Sequence, residues 1–260
     1  MALTLALLSA AHAASGTNAI LLFSFFRGNG EDGLFLAWSR DGLQWTELKP
    51  PGKSFLAPAV GGNLMRDPCL RQGPDGAFHL VWTTSWGRPA AFGYANSKDL
   101  IHWSEQRAIP AMESEPAVEN VWAPELFYDG GFNVIDATLL AARGKFYLIV
   151  KDETRNPVKK HLRIAVGDRA EGPFGPAGAP VSGDWVEGPS AIQIGDEFYI
   201  YFDHYGKPQY YGAVKSTDLE HWQDVQVSFP KGARHGTVLK VPETIIHKIQ
   251  NLPTHTTKQP

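Results

Sequence analysis

The stretch Ser97-Lys98-Asp99-Leu100-Ile101-His102-Trp103 decides the fold, because it recurs at Ser216–Trp222 and, more loosely, at Ser39–Trp45. Each copy places Asp four residues before Trp, and the second interval between copies is close to twice the first. The repeat period of about 58 residues fits a four-stranded propeller blade with long loops. The repeat therefore predicts a β-propeller, and recurrence of the motif indicates a structural turn rather than a catalytic residue.

Strand-like segments accompany the repeat. They combine aromatic and aliphatic residues and include Ala19–Phe26, Ala77–Thr83, Lys145–Lys151 and Glu197–Phe202. Glycine-containing turns precede three of them, which is a hairpin signal. No stretch of helical length shows a 3.6-residue period. The chain is therefore predicted to be all-β.

One motif in the chain resembles a nucleotide-binding loop. Gly28-Asn29-Gly30-Glu31-Asp32-Gly33 matches the G-x-G-x-x-G pattern, which needs a helix after it to bind a dinucleotide. The next residues, Leu34–Trp38, are strand-like. We therefore predict a hairpin loop here.

Composition excludes several classes of protein. The net charge is −3, without the long basic runs of a nucleic-acid binder. The single cysteine, Cys69, excludes an internal disulfide and a cysteine-based zinc cluster. No run after the N-terminus approaches the ~20 apolar residues that span a bilayer. No nucleic-acid or membrane partner is therefore predicted, and the chain is predicted to be a monomer.

The ends of the chain are predicted to lie outside the folded domain. The first residues are apolar and end in Ala11-His12-Ala13, which is typical of a signal peptide, although the usual basic start is missing. A buried N-terminal element is the alternative. We predict a signal peptide over 1–14, hence secretion or a periplasmic location, a single propeller domain over 15–245, and a polar tail over 246–260.

Five short motifs lie between the strand-like segments or at their starts, where the inner strands of propeller blades converge on one pocket. They are Arg66-Asp67-Pro68, Trp122-Ala123-Pro124-Glu125, Asn133-Val134-Ile135-Asp136-Ala137, Glu187-Gly188-Pro189-Ser190 and Arg234-His235-Gly236-Thr237. In this order they resemble glycoside hydrolase family 43, the arabinofuranosidase and xylosidase family of five-bladed β-propellers. The resemblance covers roughly Ile20 to Val241.

The resemblance implies an inverting hydrolase with three catalytic carboxylates. By it, Asp67 matches the general base, Glu187 the general acid, and Asp136 the carboxylate that orients the acid and adjusts its pKa. Inverting enzymes place acid and base ~6.5–9.5 Å apart, on opposite faces of the sugar, to admit a water. A neighbouring carboxylate raises the pKa of the acid so that it keeps its proton near neutral pH. Each of the three could instead be a structural residue, Asp67 and Glu187 in turns before Pro68 and Gly188.

Further residues are predicted to bind substrate or metal. Aromatic rings stack on sugars, and those near the motifs, together with one arginine, form the predicted substrate-binding set: Trp86, Trp122, Phe132, Trp185 and Arg234. The resemblance also implies that His235 lies near the central channel, beside a structural calcium or its waters. A purely hydrogen-bonded structural role is the alternative for His235. No cofactor is predicted to be required.

The chain departs from the five-bladed pattern in one region. Segments Ile20–Leu48, closed by Arg234–Val241, Asp67–Gln106 and Glu187–Val225 each supply one blade. Trp122–Phe174 should hold two blades but spans about one repeat. We predict that ~40 residues of blade two are missing between Asp129 and Gly131, the size of three strands with their loops, leaving about four complete blades. The loss would also shift Asp136 relative to Asp67.

Three functional interpretations follow. The first is a secreted glycosidase acting on arabinofuranosyl, xylosyl or similar groups of plant polysaccharides or oligosaccharides. The second is a non-catalytic carbohydrate-binding propeller, which the missing blade favours. The third is a related propeller that transfers fructosyl groups or phosphorolyses mannosides. It ranks last, because those families use different acidic motifs.

Overall fold

The computed structural model describes residues 19–88, 90–111, 121–124, 137–152, 157–170 and 172–252. Their secondary structure is almost entirely strand. In chain order the elements are β1 (Ala19–Phe26), β2 (Phe35–Ser39), β3 (Thr46–Glu47), β4 (Arg66–Gln72), β5 (Phe78–Thr83), β6 (Ala91–Ser97), β7 (Arg107–Pro110), β8 (Ala137–Ala142), β9 (Lys145–Lys151), β10 (Leu162–Gly167), β11 (Val186–Ile194), β12 (Glu197–His204), β13 (Tyr210–Ser216), β14 (Gln223–Val225), β15 (Arg234–Pro242) and α1 (Glu243–Gln250).

The strands form four antiparallel sheets in a propeller-like arrangement, which confirms the all-β prediction and the shortened propeller. Three sheets have four strands, in the orders β15-β1-β2-β3, β4-β5-β6-β7 and β11-β12-β13-β14, and the fourth has the order β8-β9-β10. A single bridge between Gly167 and Phe174 extends the fourth sheet beyond β10. The predicted blades therefore match three complete sheets, and the described residues of Trp122–Phe174 supply one shorter sheet.

The first sheet is closed by the last strand. Ala19 pairs with Pro242 and Phe26 with Arg234, so β15 lies beside β1 along its whole length. As predicted, a C-terminal strand completes the N-terminal blade. The closure brings Arg234 and His235, at the start of β15, to the end of the molecule where β1 finishes.

The recurring motif forms a turn in each of its three copies. In the copy at Ser97–Trp103, Ser97 Oγ accepts the Leu100 N–H at 2.8 Å, and Asp99 Oδ1 accepts the N–H groups of Ile101 and His102. Leu100 has a positive φ of 63°, as do the equivalent Gly42 and Leu219. These side-chain hydrogen bonds hold a left-handed position that leucine disfavours. The motif is therefore structural, as its recurrence predicted.

The sheets pack as a row with three apolar interfaces. One core joins β4–β7 to the β1 sheet, a second joins the β1 sheet to β11–β14, and a third joins β11–β14 to β8–β10. Among the described residues, inner strand β15 packs beside β4 and β11, and β11 beside β8, whereas β4 and β8 make no comparable contact. The predicted deletion, between Asp129 and Gly131, falls between these two sheets in the chain, at positions that lie outside the described residues.

The start of the predicted C-terminal tail is helical. Residues 243–250 form helix α1, which extends into the polar tail predicted over 246–260. Ile246 and Ile249 lie on one face of α1 and are buried in the first core. Two buried residues three positions apart are too few to stand out as a helical period. The predicted signal peptide and residues 253–260 lie outside the described residues.

Two further observations concern the elements themselves. The G-x-G-x-x-G segment at 28–33 joins β1 to β2 as a hairpin loop, as predicted. No helix in the described part of the chain is long and apolar enough to cross a membrane.

Candidate active site

The two predicted catalytic carboxylates stand at bulges near the starts of two inner strands. The β4–β5 register shifts between Arg66 and Cys69, and the β11–β12 register shifts between Glu187 and Ser190. Asp67 has a φ of 51°, and Gly188, next to Glu187, has a φ of 59°. Bulges redirect side chains, and a non-glycine residue at positive φ is strained. The strain therefore falls at Asp67, whereas glycine takes the positive φ beside Glu187.

Asp67 is buried and held by hydrogen bonds. The Thr83 hydroxyl donates to Asp67 Oδ2 at 2.8 Å and itself accepts the Ala123 N–H at 2.7 Å. His235 Nδ1 lies 3.1 Å from Asp67 Oδ1. Burial alone would raise the pKa of Asp67, but His235, Arg66 and Thr83 outweigh it and hold that pKa below its ordinary value. Asp67 is therefore kept as a carboxylate, the form a general base needs.

Glu187 is partly exposed and lies between two cations. Lys151 Nζ is 3.1 Å from Oε2 and Arg234 Nη2 is 3.0 Å from Oε1. The Lys151 side chain is only 7% exposed and its ammonium group lies 4.6 Å from the centre of the Tyr205 ring. Both oxygens of Glu187 therefore have a cationic partner, and Glu187 still lines the cavity described below.

A buried carboxylate, Asp203, connects the two sides of the site. It lies opposite Glu187 in the β11–β12 register, pairs with Arg234 Nε, and accepts the His235 N–H at 3.3 Å. Burial raises the pKa of Asp203 above its ordinary value, Arg234 opposes the rise, and Glu187 adds to it. Asp203 thus anchors the Arg234-His235 pair, whose first side chain contacts Glu187 and whose second contacts Asp67.

One wall of the site is aromatic and preorganised. Trp86 Nε1 donates to Asn29 Oδ1 at 3.0 Å, and the Arg66 guanidinium lies 4.1 Å from the centre of the Trp86 ring. Trp122 meets Trp86 edge to face at 5.7 Å. Both indoles remain substantially exposed, so they offer surfaces on which a sugar can stack.

One cavity of about 490 Å³ lies among these groups, and Thr83, Lys151 and Asp203 are not among the residues that line it. Of the predicted residues it contains Asp67, Glu187, Trp86, Trp122, Arg234 and His235. Trp185, two residues before Glu187, is exposed and packs edge to face against Tyr205 rather than lining this cavity. Asp136 and Phe132 lie outside the described residues, and β8 begins at Ala137. The two main carboxylates are therefore brought together from positions 120 residues apart.

The metal prediction has little support in the residues at hand. The described residues contain no group of three or more His, Cys, Asp or Glu that could hold a metal ion. His235 offers a ring nitrogen already beside Asp67, whereas calcium takes six to eight oxygen ligands. The described donors do not form a calcium cage.

Four residues of the site were missed by the sequence reasoning. Asn29 lies in the G-x-G-x-x-G loop, for which the sequence predicts only a hairpin turn. Thr83 and Lys151 end predicted strands, and Asp203 follows the last residue of one. A polar residue at the end of an apolar strand was the sequence signal that could have identified them. Only the strand register, which the sequence does not show, tells which of these side chains lie near the cavity.

Comparison with known proteins gives the family. A family model described as "Probable glycosyl hydrolase domain", related to glycoside hydrolase family 43, matches residues 18–133 and 126–245. These matches cover most of the chain, and the chain belongs to this family. The two matched segments meet at 126–133, the region in which the blade deletion was predicted.

Individual relatives are more distant. A β-xylosidase from Xylanibacter ruminicola is 37% identical over 81 residues, which make up 30% of this chain and 25% of the relative. The match therefore spans only a quarter of that relative's length. The fold is similar to the GH43 BlXynB protein from Bacillus licheniformis, with a TM-score of 0.54 at 13% identity over 83% of this chain and 54% of that one. It is also similar to an endo-1,5-α-L-arabinanase from Thermotoga petrophila, with a TM-score of 0.54 at 14% identity over 83% and 74%.

Proposed function

We propose that the chain is an inverting glycosidase that releases arabinofuranosyl or xylosyl groups from plant-derived polysaccharides or oligosaccharides. The observation that carries the proposal is the shared cavity. It holds Asp67 and Glu187, from distant parts of the chain, with Trp86 and Trp122 beside them. The similarity to a β-xylosidase supports the pentose substrate class.

The proposed reaction uses the two carboxylates in different roles. Asp67, kept ionised, takes a proton from a water that attacks the anomeric carbon. Glu187 gives a proton to the departing glycosidic oxygen, which takes the place of Lys151 or Arg234 at one carboxyl oxygen. Arg234 stays near the site and contacts the carboxylate formed when the proton has left.

Asp136 is proposed as the third carboxylate, on the basis of its motif. Strand β8, which begins one residue later, packs beside β11, which carries Glu187. D136N should lower turnover and change its pH dependence. A D136N variant with an unchanged pH–rate profile would remove Asp136 from the proposal.

Product stereochemistry tests the mechanism. Proton NMR recorded during the first turnovers on a 4-nitrophenyl β-D-xyloside or α-L-arabinofuranoside should show the anomer opposite to that of the substrate. Appearance of the retained anomer first would contradict an inverting reaction.

A non-catalytic carbohydrate-binding propeller is the second candidate. It is favoured by the lack of a β4–β8 contact, among the described residues, comparable to those between the other inner strands, and by the two cations that contact Glu187. E187Q separates the candidates, because an enzyme loses turnover on aryl glycosides while a binding protein keeps most of its sugar affinity. Glu197→Gln, in an ion pair with Lys215 in the same sheet, is the control.

Three further proposals concern the protein in its setting. We propose secretion or a periplasmic location, a monomeric state, and a calcium held through water near His235. N-terminal sequencing of the protein from culture medium, light scattering, and a thermal melt with and without EDTA test these separately. A melt that EDTA does not shift would argue against the calcium.

A further inference from the structure

A second cavity lies next to the candidate active site. It has a volume of about 730 Å³, and we call it the outer groove. The residues that line it include Gln44, Gln209, Tyr210, Gln226, Phe229 and Lys231. Ala233 lines this cavity while the next residue, Arg234, lines the active-site cavity. One short stretch of chain at the start of β15 therefore separates the two cavities.

The outer groove contains a fixed aromatic surface. The Tyr210 ring stacks on His204 with a centroid distance of 4.4 Å and an angle of 13° between the planes. His204 is held in turn, since its Nδ1 lies 3.1 Å from the Pro208 carbonyl oxygen. Tyr210 is nevertheless 51% exposed. An aromatic ring packed on one side and open to solvent presents a flat apolar surface at little entropic cost.

The chemistry of the groove fits a neutral polyhydroxylated ligand. Three lining side chains are carboxamides, each of which can both donate and accept hydrogen bonds. Lys231 is the one charged residue among those that line the groove. A phosphate or polyanion would be expected to need several cations. The groove is also within the 300–1,000 Å³ range typical of ligand sites.

The base of the groove is rigid. Tyr211 and Ala233 are buried, and Phe229 packs between Trp45 and Tyr211 at centroid distances of 5.0 and 4.5 Å. These contacts belong to the core between the β1 sheet and β11–β14, so the groove lies over a fixed interface. A binding surface on such a base is preorganised.

We infer that the outer groove binds a second part of the same glycan whose terminal sugar enters the active-site cavity. This inference rests on the proposed function and narrows it, because it makes a chain of several neutral sugars the preferred substrate over a disaccharide. The Tyr210 ring stacks on one sugar and the glutamines bond to its hydroxyl groups.

The test compares polymer with small substrate. Y210A should weaken binding of soluble arabinoxylan or linear arabinan to the E187Q protein roughly tenfold, as loss of a central aromatic contact does. In the active protein it should lower kcat/KM for the polymer relative to that for the 4-nitrophenyl glycoside by the same factor. Y210F keeps the ring and should restore both values. Tyr94→Ala, in the sheet β4–β7, is the matched control and should change neither.

The outcomes separate the two proposals. If Y210A does not weaken polymer binding, the proposed role of the outer groove is wrong. Tighter binding of polygalacturonate than of the neutral polymers would contradict it as well. Loss of binding in Y210A, in a protein that turns over neither substrate, supports the groove and contradicts the proposed hydrolysis. Turnover of both substrates at wild-type rates by Y210A supports hydrolysis and contradicts the groove.

Discussion

Asp67 and Glu187 occupy equivalent bulges on β4 and β11, yet their surroundings differ. Asp67 is buried and held by the Thr83 hydroxyl and the His235 ring. Glu187 is 24% exposed and is held by two side-chain cations. A base that only accepts a proton from water can stay fixed, whereas an acid must exchange a partner for the substrate. The fold supplies the Thr83 hydroxyl and the His235 ring for Asp67, and the long side chains of Lys151 and Arg234 for Glu187.

The largest effect is expected from removing the base. D67N should lower kcat roughly 10³-fold on substrates with both good and poor leaving groups, because activation of water does not depend on the leaving group. E187Q should lose far more on a poor leaving group than on a 2,4-dinitrophenyl glycoside. Steady-state kinetics on the two substrate types measure both. If the activities of the two variants depended equally on the leaving group, Asp67 and Glu187 would not have the separate roles of base and acid.

The cations on the acid side should have intermediate effects. We expect K151M and R234M each to lower kcat/KM about 10- to 100-fold, since each removes one charged hydrogen bond from Glu187. K215M, whose lysine pairs with Glu197 in the same sheet, is the control. Wild-type kinetics in both site variants would show that the cations do not contribute to the reaction.

Replacing Asp203 should have a smaller effect that reaches both sides. D203N removes the carboxylate that anchors Arg234 beside Glu187 and His235 beside Asp67, so the pH profile of kcat/KM should change. We expect about a tenfold loss at neutral pH. Loss of one partner of a largely buried ion pair should also cost about 2 kcal/mol of stability, discounted for the partial exposure of Arg234. A pH profile like that of the wild type would confine Asp203 to a structural role.

The smallest effect on activity is expected in the turns. Burial alone would raise the pKa of Asp99, but hydrogen bonds from His102, Ile101 and Lys248 outweigh it and lower that pKa. A lowered pKa in the folded state contributes stability above the unfolded value near pH 4, and the contribution is lost as the pH falls through the folded value. D99A should cost about 1 kcal/mol at pH 7, and less at pH 3, without changing kcat.

Urea unfolding at the two pH values measures the Asp99 effect. Asp196→Ala, in the turn between β11 and β12, is the control. If D99A lowered kcat under conditions in which the protein is fully folded, the turn would be shown to affect the active site.

Much of the fold could be predicted because repeats and strand patterns are local. The segments Ala19–Phe26 and Lys145–Lys151 were predicted with the bounds that the structure shows, and the short region between Trp122 and Phe174 gave the missing blade. Helix α1 was missed because only two of its residues are buried in the core. The prediction depended on the spacing of residues along the chain, whereas α1 is held mainly by packing against residues that are distant in the sequence.

The site was predictable in its carboxylates but not in their partners. Asp67 and Glu187 stand in recognisable motifs before proline or glycine. Lys151 and Asp203 are single polar residues in or after apolar strands, and only the register places Asp203 opposite Glu187. Such pairings depend on bulges that shift the register, and the position of a bulge cannot be deduced from residue spacing alone.

The row of sheets also determines where the molecule should open first. With three apolar interfaces among the described residues, the β1 sheet and β11–β14 each have two neighbours, while β4–β7 and β8–β10 each have one. Of these two end sheets, β8–β10 has only three strands, and most residues of β9 are half-buried. Stacked units with nearest-neighbour contacts lose protection from their ends. Amide hydrogen exchange should therefore be fastest in β8–β10 and slowest in β1 and β12. On heating, β8–β10 should unfold before the sheets that carry Asp67 and Glu187.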